Sequence, residues 1–123
     1  MREEEVVRHV AAWLTGQSWN VLRAQHTGPG FDIKAEKNGC YWLIEAKGEP
    51  ITNEEADLPN QRLYFNFALG YVLNNYRDTT AKYSIALPDI PGYRGLWNNA
   101  PAGGRYPVAS CLFVSVNAVL ECI

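Results

Sequence analysis

Asp32, Glu45 and Lys47 are the residues whose types and spacing can do chemistry in this chain. They lie in the frame G-P-G-F-D-I-K-A-E-K-N-G-C-Y-W-L-I-E-A-K, residues 28–47. Asn38-Gly39 is a strong signal for a two-residue hairpin turn, because both central positions need φ > 0. With that turn, Lys37 faces Cys40, and counting back residue by residue sets Asp32 opposite Glu45. Directly opposed residues share a face of the sheet, with Cβ atoms roughly 4.5–5.5 Å apart. Lys47 lies two residues past Glu45 and projects from that same face. Two facing carboxylates repel each other, a burden that a purely structural hairpin would avoid. A divalent cation between them removes the repulsion, and the nearby ammonium can orient or deprotonate a water. Register alone therefore points to metal-dependent hydrolysis.

The elements that must position these groups follow from the apolar spacing. Residues 2–15 carry Val6, Val7, Val10, Ala11, Trp13 and Leu14 at helical intervals, behind three acids that suit a helix N-terminus, with Gly16 as the stop. Residues 19–23 read as a strand and 28–30 as part of a loop. The hairpin strands are 31–37 and 40–47. Phe31, Ile33 and Ala35, with Trp42, Ile44 and Ala46, form the expected core face, and the acids and Lys47 occupy the other. A polar connection over 48–57 leads to a helix over 59–76, opened by Pro59. Its apolar residues Leu63, Phe67, Leu69, Val72 and Leu73, together with Gly70, are expected to cover the sheet. Residues 82–88 form a strand, 92–104 a loop with a short helix near 93–98, and 110–116 and 119–123 two further strands. The order α-β-β-β-α-β-loop-β implies an α/β fold with a mixed sheet flanked by helices, as one domain over residues 1–123.

This arrangement resembles the PD-(D/E)XK nuclease superfamily, whose signature is an Asp on one strand and (D/E)-X-K on the next, here Asp32 and Glu45-Ala46-Lys47. The leading acidic helix, the Asn38-Gly39 hairpin and the apolar run Tyr41-Trp42-Leu43-Ile44 add to the likeness, which covers roughly residues 1–90. Small Holliday-junction-resolvase-like members are nearest in outline. The resemblance implies a restriction-endonuclease-like fold. It also implies that Asp32, Glu45 and the Ala46 carbonyl bind Mg²⁺ (Mn²⁺ as substitute), while Lys47 positions or activates the attacking water. Glu5 best matches the helix acid of such sites, with Glu4 a close second. The implied activity is endonucleolytic hydrolysis of phosphodiester bonds, in DNA before RNA, and the implied assembly is a homodimer. A catalytically inactive binding or regulatory subunit of the same fold is the alternative, and an unrelated structural α/β domain a third.

Composition bounds these readings. The chain of 123 residues is 47% hydrophobic and 20% charged, ordinary for a globular protein. No apolar run approaches the roughly 18 residues of a membrane span, and no basic, then apolar, leader opens the chain, so a cytoplasmic location is expected. Net charge is −2. Residues 1–57 hold 6 basic and 10 acidic side chains, residues 58–123 hold 5 and 3, so the halves carry −4 and +2. The acidic half contains the proposed cation ligands, and no dense basic stripe predicts strong phosphate affinity. Cys40, Cys111 and Cys122 are odd in number with no C-x-x-C spacing, and read as small buried hydrophobes. His9 and His26 lack partners at metal or triad spacing. Gln61 and Tyr64 read as exposed helix residues and Lys34 as a solvated lysine. The mixture of arginine and aromatics in 91–99 and at Arg105-Tyr106 suits either a nucleic-acid stacking loop or a loop folded over the core.

Overall fold

The computed structural model describes residues 1–50, 57–99 and 109–123. The elements run α1 (Glu3–Gly16), β1 (Asn20–Ala24), β2 (Ile33–Lys37), β3 (Cys40–Ala46), α2 (Leu58–Asn74), β4 (Lys82–Pro88), α3 (Pro91–Asn98), β5 (Ser110–Val114) and β6 (Val119–Cys122). The six strands form one sheet in sequential order. β1–β2, β2–β3 and β5–β6 are antiparallel, while β3–β4 and β4–β5 are parallel. The fold is thus the expected mixed α/β sheet flanked by helices. Among the described residues, no helix is long and apolar enough to cross a membrane. Residues 51–56 of the polar connection, residues 100–104 of the expected loop, and Arg105 and Tyr106 lie outside the described residues.

The hairpin forms as its turn residues dictate. Asn38 and Gly39 take φ of 53° and 82°, and the register runs Lys37↔Cys40, Ala35↔Trp42, Ile33↔Ile44. Helices then cover both faces of the sheet. On one, α1 contributes Val6, Val7, Val10 and Leu14, packed on Ile33, Ala35, Trp42, Ile44 and Ala46. Trp13 and Trp19 meet Trp42 edge-on at 5.7 and 5.2 Å between ring centroids, a geometry that aromatic quadrupoles favour. On the other face, Phe65, Ala68, Leu69 and Val72 of α2 join Tyr93 and Trp97 of α3 over Tyr83, Ile85, Leu87 and Phe113.

Two expectations about faces are corrected. Phe31 does not share the Ile33–Ala35 face; it packs against Tyr71 and Tyr83, 5.1 and 5.8 Å away, on the α2 side. β2 begins only at Ile33, so strict alternation does not extend back to Phe31. The covering stripe of α2 is Gln61, Phe65, Ala68, Leu69 and Val72, at the i, i+4, i+7, i+8, i+11 spacing of one helix face. Leu63, Phe67 and Leu73 point outward and are exposed. Helix 2 is apolar nearly all round, which hid its buried face in the sequence.

Candidate functional site

The site is built where β3 stops pairing with β2. Lys47 N–H donates to Ala86 O on β4 at 3.0 Å. Amides alternate sides along a strand, so the Ala46 N–H points the other way, past the end of β2. There the Asp32 side chain replaces a strand partner: Ala46 N–H donates to Asp32 Oδ2 at 2.9 Å. Extending the Ile33↔Ile44 register by one residue sets Asp32 against Glu45, and the two carboxyl groups are hydrogen-bonded to each other. Asp32 is only 5% exposed.

Electrostatics follow from that burial. Desolvation raises the pKa of Asp32, opposed by the Ala46 amide, the bond from Glu45 and the charges of Lys47 and Arg23. Glu45 is pushed up to about 8, first by burial, then by the facing Asp32 charge and the hydrogen bond between them. Glu45 therefore keeps the shared proton and donates it to Asp32. Glu45 Oε1 is buried without a hydrogen-bond donor from any other group. Such an orphaned carboxylate oxygen costs free energy unless something else occupies it.

Lys47 stands beside the pair with Nζ 3.6 Å from Glu3 Oε1 and 5.9 Å from the Tyr64 ring centroid. Glu3 is itself half-buried, and burial raises its pKa against the pull of Lys47. The helix acid next to the site is thus Glu3. Glu5 turns back on its own helix, where Oε1 accepts from the Arg2 amide at 3.1 Å and its pKa falls. Glu4 faces His26 at 3.7 Å across the adjoining groove. Helix phase explains the difference: Val6, Val7 and Val10 fix which side of α1 meets the sheet, and only Glu3, at the entry, is left facing Lys47.

An open groove of about 400 Å³ adjoins the site, lined by Glu3, Glu4, His26, Lys47, Tyr64 and Phe67 among others. Asp32 and Glu45 do not line it; Lys47 is the member of the trio that does. Tight packing holds the Lys47 exit in place. A Cβ on Gly48 would lie 2.4 Å from Glu3 N, so glycine lets the chain pass against the start of α1. The buried Tyr93 hydroxyl donates to Gly48 O at 2.7 Å, and Glu49 pairs with the Met1 amino group.

Among the described residues, no group of three or more His, Cys, Asp or Glu side chains is arranged to hold a metal ion. What the residues offer is a two-carboxylate pair of hard oxygen donors with one oxygen unsatisfied, a donor set that suits a cation such as Mg²⁺ or Mn²⁺ completed by water and a backbone carbonyl.

No family model matches this chain, and no curated protein matches it. Among solved structures it is similar to an FdxN element excision controlling factor protein from Anabaena variabilis. That match has a TM-score of 0.58 at 18% identity and covers 98% of this chain and 97% of that one. It is also similar to an XisH family protein from Nostoc punctiforme, at TM-score 0.52 and 16% identity, over 98% of each chain. It shares their fold. At such identity the likeness concerns architecture, and it spans all the elements that frame the Asp32–Glu45 pair.

Several residues escaped the sequence reading. Gln61, expected to be exposed, is buried with its Oε1 unpartnered, and a Cβ on Gly92 would collide with it. Arg23 donates to Phe31 O at 2.9 Å and to Thr27 O at 2.8 Å, tying down the loop that delivers Asp32. Tyr71 of α2 lies close enough to Glu45 and Asp32 for their charges to raise its pKa further, after burial. None had a sequence signal, because each acts through the packing of one element on another. Lys34 lies over the Tyr41 ring at 4.6 Å. Cys111 is buried as expected, but Cys40 at the hairpin turn is exposed and Cys122 half-buried.

Proposed function

We propose that this protein is a metal-dependent nuclease of the PD-(D/E)XK type, hydrolysing phosphodiester bonds in nucleic acid, DNA before RNA. The observation that carries the reading is the buried Asp32–Glu45 pair, with a shared proton and an orphaned Glu45 Oε1, beside Lys47. In this reading Asp32, Glu45 and the Ala46 carbonyl hold Mg²⁺ or Mn²⁺. When bound, that ion would withdraw charge from the phosphoryl oxygens and make a water more acidic. The proton shared by Asp32 and Glu45 must leave before both carboxylates act as ligands. Lys47 orients the attacking water and offsets charge developing on the phosphate. Glu3 anchors the Lys47 ammonium, a positioning role taken in place of the one expected of Glu5. The excision controlling factor named among the similar structures is compatible with work on DNA. One small module covers little DNA, so cleavage of two strands calls for a homodimer with two sites.

A second reading has a specific observation in its favour. Glu3, Glu4 and Glu49 line the groove, and acids there disfavour a phosphate backbone. A binding or regulatory subunit of the same fold would need no access to Asp32. Incubating the purified protein with single strands, duplexes, junctions and RNA in Mg²⁺ or Mn²⁺ separates the two. Metal-dependent cleavage lost in Lys47→Ala supports the nuclease. No cleavage of any substrate gives the regulatory reading precedence.

A further inference from the structure

Cys111 and Cys122 stand directly opposite each other in the antiparallel β5–β6 pair, and both are free thiols. Opposed residues share a face with Cβ atoms roughly 4.5–5.5 Å apart. A disulfide needs Cβ atoms about 3.5–4.5 Å apart and Cα atoms within about 4.4–6.8 Å. The strands therefore have to close only slightly for the sulfurs to join. Cys111 belongs to the core cluster under α2 and α3, and Cys122 packs against that cluster from β6.

The two thiols are chemically distinct. Burial pushes the Cys111 thiol well up, with Cys122 and Asp89 adding and Arg94 opposing. Cys122 is half-buried, and Arg94 Nη1 donates to its sulfur at 3.9 Å. That arginine is fixed in place: Nε and Nη2 donate to Asp89 Oδ1 and Oδ2 at 2.6 and 2.9 Å, and its guanidinium lies 4.3 Å from the Phe113 ring centroid. The half-buried Cys122 sulfur is the one a dissolved oxidant can reach, and the clamped guanidinium donates to it there, whereas Cys111 is buried. Strand register thus supplies the pair, and the clamped arginine independently marks which member attacks.

We propose that Cys111 and Cys122 form a reversible disulfide site that reacts with hydroperoxides, Cys122 attacking and Cys111 resolving. In the first step the Cys122 thiolate takes the terminal oxygen of the peroxide; the O–O bond breaks and the other oxygen leaves as hydroxide or alkoxide. Cys122 is then a sulfenic acid. In the second step the Cys111 sulfur displaces that oxygen, which leaves as water with the Cys111 proton, and the S–S bond forms. Two thiols are oxidised and one peroxide reduced. A dithiol reverses the bridge by thiol–disulfide exchange, returning both cysteines to thiols.

The full chain carrying Cys40→Ser, which silences the exposed third thiol, is treated with hydrogen peroxide near equimolar. Intact mass should fall by two hydrogens, a non-reducing digest should join the peptides holding Cys111 and Cys122, and dithiothreitol should restore both thiols. Arg94→Gln should slow oxidation several-fold, while Arg94→Lys, which keeps the charge, should recover part of the rate. Cys122→Ser should leave Cys111 reduced. Over-oxidation of Cys122 without a bridge, no reaction where a free cysteine control is consumed, or equal oxidation of Cys111 in Cys122→Ser would each overturn the proposal. These readouts do not depend on cleavage of nucleic acid.

Discussion

At the scale of single residues, the folded-state pKa of about 8 for Glu45 sets a pH dependence whose sign can be worked out. A carboxyl raised on folding contributes stability that is fully present below its ordinary pKa near 4.5 and is lost as pH rises through 8. Metal-free protein should accordingly melt lower at pH 9 than at pH 6. Asp32→Asn keeps an acceptor for the Ala46 amide while removing the repulsion, so it should raise the metal-free Tm at pH 9. The gain should be about 1 kcal/mol, less than the full shift implies because solvent screens part of the interaction. In millimolar Mg²⁺ the order should reverse. Wild type gains about 2.7 kcal/mol at a hundredfold excess over Kd, and Asp32→Asn gains little. An equal metal response in both proteins would remove the cation from the Asp32–Glu45 pair. Lys47→Ala should keep the metal-induced shift while losing cleavage by at least about a hundredfold. Loss of the shift as well would make Lys47 a structural partner of Glu3.

At the scale of elements, the contact between Gly48 and the first turn of α1 is the joint that sets Lys47 against Glu3. Adding a methyl group there drives a Cβ to 2.4 Å from Glu3 N and 2.7 Å from Arg2 C, both backbone atoms that cannot rotate aside. Gly48→Ala should cost about 1–3 kcal/mol in denaturant unfolding and weaken cleavage by displacing α1. Tyr93→Phe probes the same joint from α3. It removes the donor to Gly48 O and should cost about 1 kcal/mol without altering the metal response. A Gly48→Ala protein as stable as wild type would mean that α1 docks less tightly than its contacts imply.

For the whole molecule, a net charge of −2 and a groove carrying Glu3, Glu4 and Glu49 limit how many phosphates one copy can neutralise. Binding of Lys47→Ala protein to DNA should therefore be weak, and the slope of log K against log salt should stay shallower than about −3. A steep slope would reveal a basic surface formed only in an assembly, which sedimentation at the same salt concentrations would detect. Sedimentation of the wild-type protein tests the homodimer: concentration-independent monomers that still cut both strands would exclude it.

What the sequence determined by itself was local. Asn38-Gly39 demanded a turn with φ > 0, the turn set the register, and register with the two-residue period of a strand set Asp32 against Glu45 before any packing was known. The valines of α1 likewise announced a helix through periodicity, and the short apolar runs of β3, β4 and β5 announced strands through their composition. Phase and depth were decided only by tertiary structure. Three consecutive glutamates are equivalent at a helix N-terminus until Val6, Val7 and Val10 dock, and docking leaves Glu3 beside Lys47 while Glu5 caps its own turn. Helix 2 carries apolar residues on every side, so its buried stripe through Gln61, Phe65 and Leu69 emerged only against the sheet. The raised Glu45 pKa, the orphaned oxygen and the Arg94–Cys122 contact depend on desolvation and on groups distant in sequence, which periodicity does not encode.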